Sequence, residues 1–214
     1  MKNKTKDSTQ AITVSPPKEQ TVVFTIRGDS PYVQNKFSEK AKTQLRQKQE
    51  EGSTAKKGKI REAKNFKEIY KGAMHVADSG WCGIPCSGLR QALIDSCRMV
   101  GFAMTRAKLS LFVEADGFDK DDQTALFKIT KGKPEYLEST VRLSTGVCDI
   151  CPRPVWKAGW EAVVRIRFDC DQFTVSDVTN LLVRVGRQVG LGAGRPNSKT
   201  SAGCGWGTFT VVNK

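Results

Sequence analysis

The segment from Trp160 to Phe168 restricts the fold most strongly, because apolar and polar residues alternate along its whole length. The apolar set is Ala162, Val164, Ile166 and Phe168, and the opposite set is Glu161, Val163, Arg165 and Arg167. Successive side chains of a strand point to opposite faces, so the pattern predicts a half-buried strand. Such a strand fits an antiparallel sheet whose second face stays open.

Two amphipathic helices flank this strand in the sequence. The first is predicted to start behind Ser87 as N-cap and to end at Gly101, and the second covers about 176–189 with Gly190 directly after its end. Their apolar stripes are Leu89, Ala92, Leu93, Cys97 and Val100 in the first helix, and Val178, Leu181, Leu182, Val185 and Val189 in the second.

The remaining strand-like runs complete a recognisable order. They are 21–28, a short run at 73–77, 108–114, 125–130, 137–143 and 206–212. Asp116-Gly117 and Lys131-Gly132 read as hairpin turns, so the three middle runs are expected to form a meander. Reduced to essentials the order is β-α-β-β-α-β, which predicts an α+β fold of the ferredoxin-like type, with an antiparallel sheet and two core helices on one face.

Positive charge is concentrated in the first third of the chain. The net charge is +13, and residues 1–76 hold 17 basic and 8 acidic side chains. We expect a disordered polar tail over residues 1–20 and one domain over 21–214, with a basic helical insertion at about 30–76 that contains helices at 39–51 and 59–70. A basic excess of this kind favours polyanions such as nucleic acid, although a solvated face is the alternative.

Cysteine content and hydropathy indicate the cellular compartment in which the protein is expected. Seven cysteines, an odd number, without an apolar leader predict a reducing cytoplasm rather than a disulfide framework. No run reaches the ~20 apolar residues of a spanning helix, so no membrane partner is expected. Cys82, Cys86, Cys148 and Cys151 could hold a structural zinc, but buried free thiols are the favoured interpretation, and no cofactor is predicted.

Three arginines are predicted to share the open face of the sheet. Arg27 lies on the polar side of the first strand, and Arg165 and Arg167 on that of the strongest strand. Guanidinium groups on a rigid sheet suit phosphates, and the alternative is that they pair with Glu161 or other carboxylates. The outward positions lack the aromatic residues that stack bases, so contact with the nucleic-acid backbone is expected instead.

A glycine-rich segment lies between the second helix and the last strand. It runs from Gly190 to Pro196 and continues at Gly205-Trp206-Gly207. Because it follows a helix and lacks a Gly-Lys-Ser/Thr ending, neither a dinucleotide fingerprint nor a P-loop fits. The glycines could let the backbone approach a ligand, with Arg195 and Lys199 supplying charge.

These features resemble the RAMP superfamily, which includes the backbone and guide-processing subunits of CRISPR effector complexes. The resemblance rests on Gly190-Leu191-Gly192 and Gly205-Trp206-Gly207, separated here by a twelve-residue spacer. The chain is also similar to small bacteriophage proteins with this core. The shared motifs are Gly28-Asp29-Ser30-Pro31, the helix entry from Ile84-Pro85 to Leu93, and Gly190 to Pro196.

The resemblance implies RNA binding along the sheet face and glycine loop, with the insertion as a flap, and oligomerisation along the strand. If the chain is phage-encoded, its compartment is the host cytoplasm. We therefore expect a non-enzymatic protein that binds single-stranded RNA, or DNA less favourably. The predicted binding residues are Arg27, Lys56, Lys57, Lys59, Lys64, Lys67, Arg165, Arg167, Gly190, Gly192, Gly194, Arg195, Lys199, Gly205, Trp206 and Gly207.

Two other functions remain open at this point. One is a ribonuclease that depends on a metal or on His75, since some RAMP relatives cleave guide RNA with a histidine. The other is an interaction protein that mimics a subunit of a host defence complex. No nucleophile elbow or Walker loop is present in the sequence.

Overall fold

The computed structural model describes residues 15–37, 39–50, 64–142, 148–198 and 202–212, which form a mixed α+β fold with antiparallel sheets. The strands are β1 (Glu19–Gly28), β2 (Tyr32–Val33), β3 (Gly83–Pro85), β4 (Leu111–Glu114), β5 (Gly117–Phe118), β6 (Ala125–Lys131), β7 (Glu135–Arg142), β8 (Cys148–Trp156), β9 (Glu161–Asp169) and β10 (Phe209–Val211). The helices are α1 (Glu39–Glu50), α2 (Phe66–Gly72), α3 (Cys86–Met99), α4 (Met104–Ser110) and α5 (Val175–Arg184), with a π-helical continuation of α5 at Val185–Val189.

The main sheet has β9 near its centre. Its order is β10-β1-β9-β6-β3, with β4 also pairing to β9 and β5 to β6. Ile26 of β1 lies opposite Ala162 of β9 and Val211 of β10, and all three side chains are buried. The predicted alternation of β9 is confirmed, because its four apolar positions are almost completely buried and the other face is only partly covered.

The two predicted core helices, α3 and α5, cover the apolar face of this sheet. Their stripes join one cluster of buried residues with β1 and β9, except Val100, which is exposed and follows Met99, the last residue of α3. The prediction for the start of α3 is wrong: the helix begins at Cys86 with Pro85 as N-cap, and Ser87 is an exposed residue inside it. The Pro85 side chain has no atom that could accept a hydrogen bond, so the first amides of α3 have no side-chain cap.

The predicted meander is also wrong. β4 and β6 both pair with β9, whereas β7 pairs with β8 in a second sheet of order β2-β8-β7. Strand β8 was not predicted because it contains Pro152 and Pro154, which normally argue against a strand. In the structure both prolines are buried, on the same face as Trp156.

Four further segments differ from the predictions. The run at 108–114 is divided between the end of α4 and β4, and the run at 73–77 forms only isolated bridges at Val76 and Ala77. The predicted helix at 59–70 corresponds to α2, with 59–63 outside the described residues, and the last strand is shorter than predicted. Within the described part of the chain, none of the helices combines the length and apolar character needed to cross a membrane.

Candidate functional site

The glycine-rich segment folds into a compact loop whose backbone has many positive φ angles. Gly190, Gly192, Gly194, Gly205 and Gly207 have φ between 70° and 76°. The two halves bind each other, because Leu191 N donates to Gly207 O at 2.9 Å and Cys204 N donates to Gly194 O at 2.7 Å. The described parts of the predicted glycine loop, 190–198 and 202–207, are therefore joined to each other by backbone hydrogen bonds.

Most of these glycines are needed for contacts within the protein rather than for approach to a ligand. A Cβ atom at Gly207 would lie 1.8 Å from Leu191 O, and one at Gly192 would lie 2.4 Å from Val33 O. Gly205 is different, since a Cβ there would meet no atom within 4 Å. Trp206 is half-buried and its ring lies over Gly194, so one face of the indole already packs on the loop.

The loop is fastened to the segment that follows β1. Gly207 N donates to Pro31 O at 2.7 Å and Ala193 N donates to Val33 O at 2.8 Å. Ser30 adds a side-chain link, because its Oγ accepts from Thr208 N at 2.9 Å. These bonds explain why a Gly-Asp-Ser-Pro sequence and a distant glycine segment occur in one chain: they form one junction.

A cavity of about 520 Å³ lies beside this junction. Its walls come from the segment 32–35, from the first three turns of α3, and from the loop residues 189–195. Tyr32, Ile84, Ala92, Val189 and Leu191 are its buried apolar lining. The polar side chains that line it are Gln34, Asn35, His75, Ser87, Gln91, Asp95 and Arg195.

Among the predicted binding cations that the structure describes, Arg195 is the one that lines this cavity. Its Nη1 donates to Gly192 O at 3.1 Å, which holds the half-buried guanidinium against the loop. Five donors are available on a guanidinium, so this bond leaves others free for an anionic or carbonyl ligand. Of the six other predicted binding residues in the glycine loop, Gly192 lines the cavity, whereas Gly190, Gly194, Gly205, Trp206 and Gly207 do not.

His75 enters the cavity wall from a buried polar network. Its Nδ1 lies 2.9 Å from Asp119 Oδ2, and the Asp119 side chain is fully buried. Burial lowers the pKa of His75 below its ordinary 6.5, although the Asp119 carboxylate acts in the opposite direction. The ring is therefore neutral at neutral pH, and an Nδ1–H donated to Asp119 leaves Nε2 as a hydrogen-bond acceptor.

Lys36 completes the network under the cavity. Its Nζ lies 2.5 Å from Asp119 Oδ1 and 2.7 Å from Asp121 Oδ2, with the ammonium almost fully buried. Burial alone would raise the pKa of Asp119, but the hydrogen bonds from Lys36, Asp121 N and His75 outweigh it and lower that pKa. For Lys36, burial alone would lower the pKa, and the two carboxylates raise it instead. An ion pair thus orients His75.

The same network is the group of side chains that comes closest to a metal site in the described residues. One ligand atom each from His75, Asp119 and Asp122 lies within 4.8 Å of the others. However, the Lys36 ammonium already occupies the cation position beside Asp119, which leaves the donor set poorly suited to a divalent ion. Among the described residues, the four cysteines considered for zinc do not form such a group.

The open sheet face contains the three predicted arginines, and each is ion-paired. Arg27 Nε lies 2.9 Å from Glu161 Oε1, which also accepts from Lys131. Arg165 pairs with Asp116, and Arg167 pairs with Glu19 and lies 3.8 Å from Glu114. These pairs join four cations to four carboxylates. The three arginines of this face are therefore paired with carboxylates, which is the alternative that the sequence left open.

The predicted lysines of the insertion fall partly outside the described residues. Lys56, Lys57, Lys59 and Lys199 belong to the undescribed part of the chain. Lys64 pairs with Asp149 at the start of β8, and Lys67 is exposed on α2. α2 packs on β8. Within the described part of the insertion, α2 therefore lies against the second sheet, whereas Lys42 of α1 pairs with Asp122.

Sequence reasoning missed the cavity residues Asn35, Gln91 and Asp95. Gln91 and Asp95 lie one turn apart on α3, where the stripe analysis considered only the apolar side. A scan against protein-family models found no match, and a search among curated proteins found none either.

Proposed function

We propose that the protein binds single-stranded nucleic acid, RNA in preference to DNA, without cleaving it. The observation that carries the proposal is the cavity beside the glycine loop. Its volume is in the range of small-molecule and nucleotide sites, and its lining combines apolar walls with a few convergent polar groups. In a chain of net charge +13, a polyanion is the natural ligand for such a site.

Chemistry within the cavity favours a nucleotide with a ribose. Arg195 offers donors to phosphate or base oxygens, and His75 Nε2 and the Asn35 amide offer acceptors to hydroxyl groups. The 2′-hydroxyl is the donor that distinguishes RNA from DNA. The amide and carboxylate groups of Gln91 and Asp95 suit base edges, which are accessible only in unpaired strands.

The strand order supports a more specific fold assignment than mixed α+β. We propose a ferredoxin-like core of the RAMP type, made of β1, α3, β4 with β6, β9, α5 and β10. The order β10-β1-β9-β6 and the two helices on one face support it. The glycine loop before β10 occupies the position expected from that resemblance.

The proposed path of the nucleic-acid strand does not follow the sheet face that the sequence predicted. Because the sheet arginines are matched by carboxylates, they contribute less net attraction than unpaired cations would. The proposed path therefore crosses the cavity and Arg195, with exposed Lys67 available to a neighbouring phosphate. Homo-oligomerisation along the strand stays a prediction.

Binding at two salt concentrations tests the proposal. Fluorescence anisotropy with single-stranded RNA, single-stranded DNA and duplex should rank them in that order, with affinity falling as salt rises. Arg195→Ala should weaken RNA binding about tenfold or more, because charge-assisted hydrogen bonds are lost. Arg184→Ala, which removes an equal charge from the exposed side of α5, is the matched control. Absence of binding, or binding indifferent to salt, contradicts the proposal.

A second candidate function, a histidine-dependent ribonuclease, is favoured by one observation. The neutral His75 ring is oriented by Asp119 and lines the cavity, as a general base would. Incubation of labelled RNA with the protein and a chelator tests it. Cleavage that is lost in His75→Ala and reduced in Asp119→Asn supports the nuclease, whereas intact RNA supports binding alone.

A further inference from the structure

Asp95 is an unexpected residue in a cavity proposed for a polyanion. It lies on α3 and lines the cavity together with Arg195. Among the described residues, no lysine or arginine forms an ion pair with it. A carboxylate that neutralised a cation would need such a partner, so a different role fits it better.

Two neutral amides hold the Asp95 carboxylate in a fixed orientation. Gln91 Nε2 donates to Oδ1 at 3.0 Å, and Asn197 Nδ2 donates to Oδ2 at 2.9 Å. Each oxygen has a second lone pair, so both can accept one more hydrogen bond. Because Gln91 is on α3 and Asn197 on the glycine loop, the carboxylate is held from two elements. Both oxygens keep the capacity to accept a hydrogen bond from a ligand.

Apolar walls next to this carboxylate leave room for a flat ring. Ala92 of α3 and Leu191 of the loop are buried, and both line the cavity. Gly88 lies about two helical turns before Asp95 on α3. A Cβ atom at Gly88 would meet nothing within 4 Å. The cavity thus offers apolar contact to the faces of a ring and acceptors to one of its edges.

Among nucleobases, guanine matches a fixed carboxylate best. Its Watson–Crick edge carries N1–H and N2–H side by side, which gives two parallel hydrogen bonds to two carboxylate oxygens. Adenine and cytosine offer one amino group next to a ring acceptor, and uracil offers one N–H between two carbonyl oxygens. An acceptor beside a carboxylate is repelled, so these bases satisfy at most one oxygen.

We infer that the cavity binds one unstacked guanine, whose N1–H and N2–H groups donate to the two oxygens of Asp95. The inference rests on the proposed binding of single strands and specifies the base that the site prefers. The ligand can be a guanine within a strand or a free guanine nucleotide, since both present the same edge.

Uridine oligomers with one central guanosine, inosine, adenosine or cytidine test the inference on the full chain by fluorescence anisotropy. Guanosine should bind about tenfold or more tighter than adenosine or cytidine, and inosine, which lacks N2–H, should fall between them. Asp95→Asn should remove most of this preference, because an amide offers only one acceptor. Asp78→Asn, at an exposed carboxylate, should keep it.

A second variant keeps the inference testable if Asp95→Asn does not fold. Gly88→Phe places a ring in open space at the cavity and replaces a helical glycine, so folding should be preserved while the base is excluded. Titration calorimetry with free guanosine and adenosine monophosphates separates a strand ligand from a nucleotide ligand. Preference for guanine in either arm, lost in both variants, supports the inference.

Three outcomes overturn the inference. Equal binding of all four oligomers refutes guanine recognition while leaving strand binding intact. A guanine preference that survives in Asp95→Asn places recognition elsewhere. If neither oligomers nor mononucleotides bind, the proposed function and this inference fall together.

Discussion

At the scale of single residues, the glycines of the loop meet two different requirements, which the sequence alone does not distinguish. Gly205 and Gly207 have nearly equal φ angles, 71° and 72°. Only Gly207 also has a backbone atom in the space where a Cβ would stand. Positive φ is thus a shared requirement, whereas lack of space is specific to one of them.

Alanine at the two positions should therefore have different costs. Gly205→Ala should lower the free energy of unfolding by about 1 kcal/mol, the price of a left-handed alanine. Gly207→Ala should lower it by about 3 kcal/mol, because the overlap with Leu191 O adds a displacement of the loop. Urea denaturation of both variants measures the difference. Equal losses would show that the two halves of the loop do not hold each other.

His75, the one histidine of the chain, makes stability depend on pH in a window of its own. Burial lowers its folded pKa below the ordinary 6.5, so the unfolded state binds the proton more readily. The free energy of unfolding should therefore fall as the pH drops below about 6.5. Asp119, whose pKa is lowered from 3.8, loses its contribution only in more acidic solution.

Denaturation at pH 7.5 and at pH 5 measures this effect. His75→Gln should be less stable at pH 7.5, because Asp119 loses a partner, but its stability should change less between the two pH values. A variant with the same pH dependence as the unmodified chain would assign the titration to another group.

At the scale of secondary-structure elements, local periodicity determined what could be predicted. β9 and α5 were identified because their apolar residues recur at the period of a strand and of a helix. β8 was missed because Pro152 and Pro154 hide its pairing with β7, which depends on a partner elsewhere in the sequence. The meander failed for the same reason, since nothing local shows that β4 and β6 both pair with β9.

The candidate site was only partly accessible from sequence. The glycine segment and Arg195 could be identified because glycine and arginine have restricted uses. The cavity could not, because its walls come from residues near 34, 75, 90 and 192, which only the folded chain brings together. Likewise, Asp116 and Glu19 are far in sequence from the arginines they pair with.

At the scale of the whole molecule, the distribution of paired charge decides where a polyanion is attracted. The sheet face is nearly neutral despite its arginines, because each has a carboxylate partner. The net charge of +13 therefore acts from other surfaces. Long-range attraction follows net charge rather than the number of cations in one place.

Replacing a paired arginine together with its carboxylate should accordingly have little effect on binding. Arg165→Gln with Asp116→Asn should keep RNA affinity within about threefold of the unmodified protein, because both charges of one ion pair are removed and the net charge stays the same. Anisotropy at two salt concentrations measures it, with Arg195→Ala as the comparison. A double variant that binds more weakly than Arg195→Ala would return the site to the sheet face.

The bond between Thr208 N and Ser30 Oγ spans 178 positions of the chain. During synthesis from the N-terminus, β1 emerges long before β9 and β10, its two neighbours in the sheet. The segments that form the cavity walls leave the ribosome one after another, and the glycine loop is the last of them. We expect a nascent chain that lacks this loop to be unable to hold a ligand, so binding competence begins only after the segment up to Thr208 has been synthesised.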